Sequence, residues 1–297
     1  MPRSPWRCAT ADESAQDELL IQHKGHVSVL TINRPAARNA LTWGTYSLLE
    51  NAVRTTSARC LVITGTDPAF CSGDDVKLVM GGGDKPPDTA SAARGGPRLT
   101  PTADALLHTN VPVVAAVNGA AVGWGMELAI MADIRIVSER AKFGELFVLR
   151  GLVSDAPGLG RLAQLVGREK AAELLFTGDV ISADEALRIG LVSRVVPHDE
   201  LLPTALAMAD KIAANPPLAV AQLKAGLRRA PRPGLEGPRL MGVVDPGRSV
   251  QDKRSPRRRE SVSGEARPEL QRQLMDHCYA CLLPLRAANR FQALCLR

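Results

Sequence analysis

Apolar residues along the first two thirds of the chain come in short dense runs separated by polar or glycine-containing breaks. From Glu18 to Asn33 the run LLIQHKGHVSVLTIN puts apolar stretches on either side of Lys24-Gly25, which predicts two short strands joined by a turn. Leu41 to Val53 has helical apolar spacing, and Cys60 to Thr64 is a continuous apolar strand stopped by Gly65. Gly73 to Met80 then reads as a helical turn, Ala103 to His108 as the start of a helix and Val113 to Val117 as a strand. Met126 to Met131 reads as a helix and Ile134 to Val137 as a strand. Strand and helix alternate, so the expected fold class is α/β with a parallel core. Past Phe143 the spacing predicts helices over Gly158–Val166, Arg168–Phe176, Ser182–Ile189 and Leu201–Ala214, with Ser182 and Glu185 forming a capping box. Residues 79–102 (Val79 to Thr102) are rich in Gly, Pro and Ala without periodicity, the pattern of a mobile loop.

Composition narrows the class. The chain has 297 residues, enough for one large domain with an appendage, and 45% hydrophobic content is ordinary for a globular protein. No apolar run approaches the roughly 20 residues that cross a bilayer, and the opening MPRSPWRCATADESAQDE has no apolar signal core. Residues 1–16 are therefore read as a disordered lead-in and the expected location as cytoplasmic, without a membrane partner. The net charge of +6 gathers near the C-terminus, in KRSPRRR at 253–259, and aromatics make up only 3%. Such a chain lacks the stacking platforms and basic stripe of a nucleic-acid binder. Six scattered cysteines do not form a secreted disulfide framework, and the C-x-x-C at Cys278 and Cys281 has no second pair at zinc-like spacing, so no metal is expected. His23, His26 and His108 have no triad or metal partner in view.

Between Val111 and Ala129 an apolar run, VPVVAAVNG, meets the small-residue turn AAVGWG and then Met126-Glu127-Leu128-Ala129. A buried strand ending at a glycine turn leaves unpaired N–H groups at the start of the next helix, a setting suited to developing negative charge. Glu127 falls in the first turn of that helix. It either complements the helix dipole or transfers a proton beside an oxyanion hole.

Several motifs appear in one order: INRPAARNAL at 32–41, TGTDPAFCSGDDVK at 64–77, VPVVAAVNGAAVGWGMELAIMADIRI at 111–136, AKFGE at 141–145 and LVGREKAAELLFTGDVISADEALRIGLVSRVV at 165–196. On these the chain resembles the crotonase family, the enoyl-CoA hydratases and isomerases, from about Glu18 to about Arg229. The resemblance implies a spiral of strand-strand-helix turns that binds an acyl-CoA thioester and stabilises its enolate with two backbone N–H groups. No separate cofactor is implied, since coenzyme A enters as part of the substrate. The implied organisation is a core over 17–196, a C-terminal helical region over 197–230 and an atypical tail over 231–297. The helical region, if formed, would build a homo-oligomer, a trimer or a dimer of trimers.

By motif position the two donors are the N–H groups of Asp74 and Trp124. Trp124 stands where the family most often has Gly, so its ring either walls the acyl pocket or fills the core. Glu127 matches one of two glutamates with which family hydratases hold water. The place of the second is Phe147. Glu145, two residues earlier, is either a stand-in or a solvated or structural carboxylate. Asp155 falls where some family isomerases and the dehalogenase branch place a catalytic aspartate, and its alternative is to cap the helix near Gly158. Glu127 with Asp155 is the expected acid/base pair. For coenzyme A the resemblance points to the Ser72 carbonyl at the adenine and to Arg38 and Lys77 at the phosphates. An acyl-CoA-binding homologue without catalysis is the alternative function, motivated by Phe147 and by the tail. After Ala230 the family's amphipathic helices give way to a segment in which about half the residues to Pro268 are Arg, Pro or Gly. A reading-frame shift near Ala230, a divergent extension and a basic arm are the three explanations.

Overall fold

The strands on either side of Lys24-Gly25 pair as a hairpin. In the computed structural model, which describes residues 18–80, 99–154 and 158–229, β1 (Leu19–Lys24) and β2 (Val27–Ile32) run antiparallel with Leu19 opposite Ile32. The expected lead-in, most of the 79–102 loop, the 231–297 tail and Asp155 lie outside the described residues. After the hairpin come α1 (Trp43–Thr55), β3 (Cys60–Gly65), β4 (Ala69–Cys71), a π-helical turn (Val76–Met80) and α2 (Pro101–His108). Then follow β5 (Val113–Val117), β6 (Ala120–Val122), α3 (Trp124–Met131), β7 (Ile134–Ser138), β8 (Lys142–Gly144) and a 3-10 turn (Leu146–Arg150). The chain continues through α4 (Gly158–Val166), α5 (Arg168–Thr177), β9 (Ile181–Ser182), α6 (Ala183–Arg188) and β10 (Arg194–Val196). A 3-10 turn (His198–Glu200) leads into α7 (Leu201–Ala213) and α8 (Pro217–Arg229).

Two sheets result. The large one has the order β1-β2-β3-β5-β7-β10 and is parallel from β2 onward; the small one has the order β4-β6-β8-β9, with β4, β6 and β8 parallel. The period of two along each strand divides the large sheet's apolar residues between two cores. Cys60, Val62, Val114 and Ala116 meet Leu201, Ala205, Ala209 and Ala213 of α7, whose spacing of four makes one helical stripe. Leu61, Ile63, Val113 and Ala115 pack on the other side with α1 and α3. The fold is thus mixed α/β, with strand pairs β3-β4, β5-β6 and β7-β8 passing from the large sheet to the small one three times.

Helix starts differ from the sequence reading at three places. α3 begins at Trp124 and not Met126, because Gly123 takes φ +53° and turns the chain directly out of β6. α2 begins at Pro101, with the Thr100 hydroxyl accepting from Ala103 N–H at 3.2 Å. The reciprocal capping box is at Thr42 and Thr45 of α1; Ser182 caps α6, but Glu185 pairs with Arg188 and Lys170 in place of closing a box.

α8 is strapped to the segment that enters β5. Lys224 Nζ lies 2.7 Å from Asp133 Oδ2 and donates to the Val111 carbonyl at 2.8 Å, while Arg228 donates to Thr109 O and Asn110 Oδ1. Burial pulls the Lys224 ammonium below the usual lysine range, against the opposing pull of Asp133. Lys224→Ala leaves Asp133 and the Val111 carbonyl without this donor, and is expected to lower stability by about 1–3 kcal/mol in urea unfolding of the full-length chain.

Candidate active site

The passage from the large sheet to the small one is fixed by two buried asparagines. Asn39 Nδ2 donates to Thr66 O and to Ala69 O at 2.7 and 2.6 Å, and its Oδ1 accepts from Arg34 N–H at 2.9 Å. Asn118 Nδ2 donates to Asp67 Oδ1 and Ala69 O at 2.9 and 3.2 Å, and its Oδ1 accepts from Gly65 N–H at 3.2 Å. Both grip the bend before β4, which would otherwise bury its backbone groups unpaired.

Three turns at equivalent places then border one cavity: Ser72 to Asp74 after β4, Gly123 and Trp124 after β6, and Leu146 and Phe147 after β8, with Val76, Arg150 and Leu152 around them. In the first turn Leu41 N–H donates to Gly73 O and Asp75 N–H donates to Leu41 O, forming a parallel bridge between Leu41 and Asp74. Alternation along an extended segment turns the Asp74 N–H to the opposite edge from Leu41. Gly73 has φ +89°, and a Cβ there would stand 3.0 Å from Val122 O and 3.3 Å from Trp124 N, so only glycine lets the first two turns meet. Trp124 is the first residue of α3, and no backbone acceptor among the described residues takes its N–H. The Trp124 indole is 2% exposed and meets Tyr46 edge to face, so the ring belongs to the core while the residue borders the cavity.

α3 is buried along its whole length, and both its ends are met by specific partners. At the C-terminal end Arg161 donates to Ile130 O and Ala132 O, and Arg135 donates to Ala132 O at 2.8 Å. Burial pulls the Arg135 guanidinium down to about 10, with Arg161 adding to the shift, and it still carries charge at neutral pH. Near the N-terminal end the fully buried Glu127 carboxylate accepts from the Ser154 hydroxyl on Oε1 and from Gly158 N–H on Oε2 at 2.9 Å. A side chain at Gly158 would collide with both Glu127 and Ser154. Glu127 lies one helical turn from Trp124 but does not itself border the cavity.

A family model described as Enoyl-CoA hydratase/isomerase matches residues 22–239. The chain belongs to the enoyl-CoA hydratase/isomerase family. Among its relatives, a short-chain-enoyl-CoA hydratase of Clostridium acetobutylicum is 37% identical over 218 residues, covering 72% of this chain and 82% of the relative. A 2,3-dehydroadipyl-CoA hydratase of Escherichia coli is 36% identical over 224 residues, covering 74% and 85%. The crystal structure of an enoyl-CoA hydratase from Mycobacterium avium superposes with a TM-score of 0.61 at 37% identity, covering 71% of this chain and 88% of that one.

Within this hydratase/isomerase fold, Ser72, Asp74 and Trp124 border the cavity together. Arg38 joins them through its carbonyl, which accepts from Ser72 N–H at 3.1 Å, although its side chain and that of Lys77 are exposed. Glu145 is not solvated. It is 1% exposed, follows β8 and does not border the cavity; Phe147 lies in the 3-10 turn that comes next, so strand alternation does not align the two. Asp155 is outside the described residues, while the residues to either side of that gap, Ser154 and Gly158, are both bonded to Glu127. Cys71, next to the first turn, is fully buried and its thiol is pushed up to about 12 by that burial, which leaves no thiolate nucleophile there. Among the described residues no cluster of three His, Cys, Asp or Glu side chains is placed to hold a metal, and no helix is long and apolar enough to cross a membrane. Tyr46, Ser154 and Gly158 were not singled out as site residues by the sequence reading; the only local signal was that Ser154 and Gly158 flank a turn into a helix. Ser154→Ala is expected to destabilise the protein by about 1–3 kcal/mol, the range for removing one partner of a buried hydrogen bond, measured by urea denaturation.

Proposed function

We propose that this chain is an enzyme that moves a proton on an acyl-CoA thioester, hydrating an enoyl-CoA or shifting its double bond through an enolate. The observation that carries the reading is the meeting of the Asp74 and Trp124 turns across Gly73, with a buried carboxylate one turn into the same helix. The thioester oxygen would sit at the two N–H groups, where negative charge appears only as the enolate forms. Glu127 is the proposed acid/base, and Asp155 is the proposed second carboxylate. Ser72, Arg38 and Lys77 are the proposed contacts to coenzyme A. The exposed Leu218, Leu223 and Leu227 of α8 support a homo-oligomer, since each is more than two thirds exposed on one short helix.

Hydration is supported by the names of the relatives. Isomerisation is supported by Phe147, which puts an aromatic ring where a water-holding glutamate is expected. A proton shuttled between the alpha and gamma carbons needs one carboxylate and no water. Crotonyl-CoA and a 3-enoyl-CoA separate the two: hydration removes the conjugated thioester absorbance of the first, and isomerisation creates it from the second. Turnover of neither, with acyl-CoA still bound, would replace both by a binding role. Glu127→Gln is expected to lower kcat on the productive substrate by about 100- to 10,000-fold, the usual contribution of a general acid or base, in a steady-state assay.

A further inference from the structure

Tyr46 touches both residues whose N–H groups are the proposed donors. Its hydroxyl donates to Asp74 Oδ1 at 2.5 Å, and its ring meets the Trp124 indole with centroids 4.6 Å apart and planes at 87°. The tyrosine is 6% exposed and its surroundings are hydrogen-bonded. The Thr42 and Thr45 hydroxyls at the start of α1 donate to Glu18 at 2.7 and 2.5 Å, Trp43 stands 5.8 Å from the Tyr46 ring, and Thr102 donates to the Tyr46 carbonyl at 2.9 Å.

The two donors come from turns of different strand pairs; β4 and β6 pair as far as Cys71 and Ala121, and Gly73 lets the turns beyond them approach. A side chain that grips one residue by a hydrogen bond and the other by ring contact adds a tie past the end of that pairing. It also has an electrostatic effect. Asp74 borders the cavity in which the enolate would form, and a carboxylate there repels developing negative charge. The Tyr46 hydroxyl occupies one of its oxygens and offsets part of its charge.

We propose that Tyr46 is the positioning residue of the oxyanion site, holding Asp74 by its hydroxyl and Trp124 by its ring so that both backbone N–H groups point to one thioester oxygen. This rests on the enolate reading above, and the test separates the two. Butyryl-CoA labelled with carbon-13 at the thioester carbonyl is saturated and does not react, so its bound resonance in the full-length protein reports donor strength without turnover. In the wild type the resonance is expected downfield of the free thioester. In Tyr46→Phe it should move back toward the free value while the dissociation constant changes little, and Tyr46→Leu should move it further. On the substrate that the wild type turns over, Tyr46→Phe should lower kcat about 10- to 100-fold with KM nearly unchanged, as misplacement of a reacting group does. Thermal melting of each variant checks that it is folded. A Phe variant with the wild-type resonance and kcat overturns the hydroxyl's role, and equal resonances in the Phe and Leu variants overturn the ring's. A wild-type resonance at the free value instead overturns the enolate reading itself, and the positioning role with it.

Discussion

A helix buried on every side has to have both ends satisfied by the protein, and the site follows from how α3 meets that requirement. Its eight residues are all buried, so neither its last carbonyls nor its first N–H groups can rely on bulk water. Arg135 and Arg161 take the carbonyls, and a cation at that end also suits the helix dipole. α4 supplies Arg161 to the C-terminal end and Gly158 N–H to Glu127 near the N-terminal end, so one helix clamps both ends of another. At the N-terminus the Met126 and Glu127 N–H groups donate to Gly123 O, whereas no backbone acceptor among the described residues takes the Trp124 N–H, on a residue that borders the cavity at the positive end of the dipole.

The small sheet explains why that cavity lies where it does. Each passage from the large sheet ends one strand later in a turn at the same edge, because β4, β6 and β8 pair in parallel with Ala120 opposite both Ala69 and Lys142. Repetition therefore delivers three turns to one place, and the residues in them are free to differ. The first two bring Asp74 and Trp124 to the cavity and the third brings Phe147. Asn39 and Asn118 make this repeatable at the first passage, since both donate to the single carbonyl of Ala69 and so fix the angle at which β4 leaves β3.

Much of the frame was legible because it depends on local periodicity. The β1-β2 hairpin, β3, β5 and β7 are apolar runs bounded by turn residues, and α7 has a clean stripe at a spacing of four. α3 was harder to delimit because a helix buried all round has no amphipathic pattern, and only the φ of Gly123 sets its start. The motif order brought Ser72, Asp74, Trp124 and Glu127 forward from sequence alone. Tyr46 and Ser154 were invisible for a physical reason: their partners lie 28 and 27 positions away and are chosen by packing, not by spacing. For Glu145 the sequence leaves a stand-in, a solvated and a structural carboxylate open, because its burial depends on what the third passage packs against.

The aromatic ring at Phe147 and the two proposed donor N–H groups are better understood together than apart. Val76, Leu146, Phe147 and Leu152 make most of the cavity's wall apolar, and a hydrogen bond aimed at a developing oxyanion strengthens as the local dielectric falls. The same wall disfavours an ordered water unless a second polar group shares it. On the proposed reading, an aromatic ring in the third turn in place of a carboxylate would favour polarisation of the thioester over the holding of a water. On the proposed enolate reading, such a wall goes with a proton relayed by a carboxylate between two carbons of a bound chain, while Arg150, which also lines the cavity, is exposed.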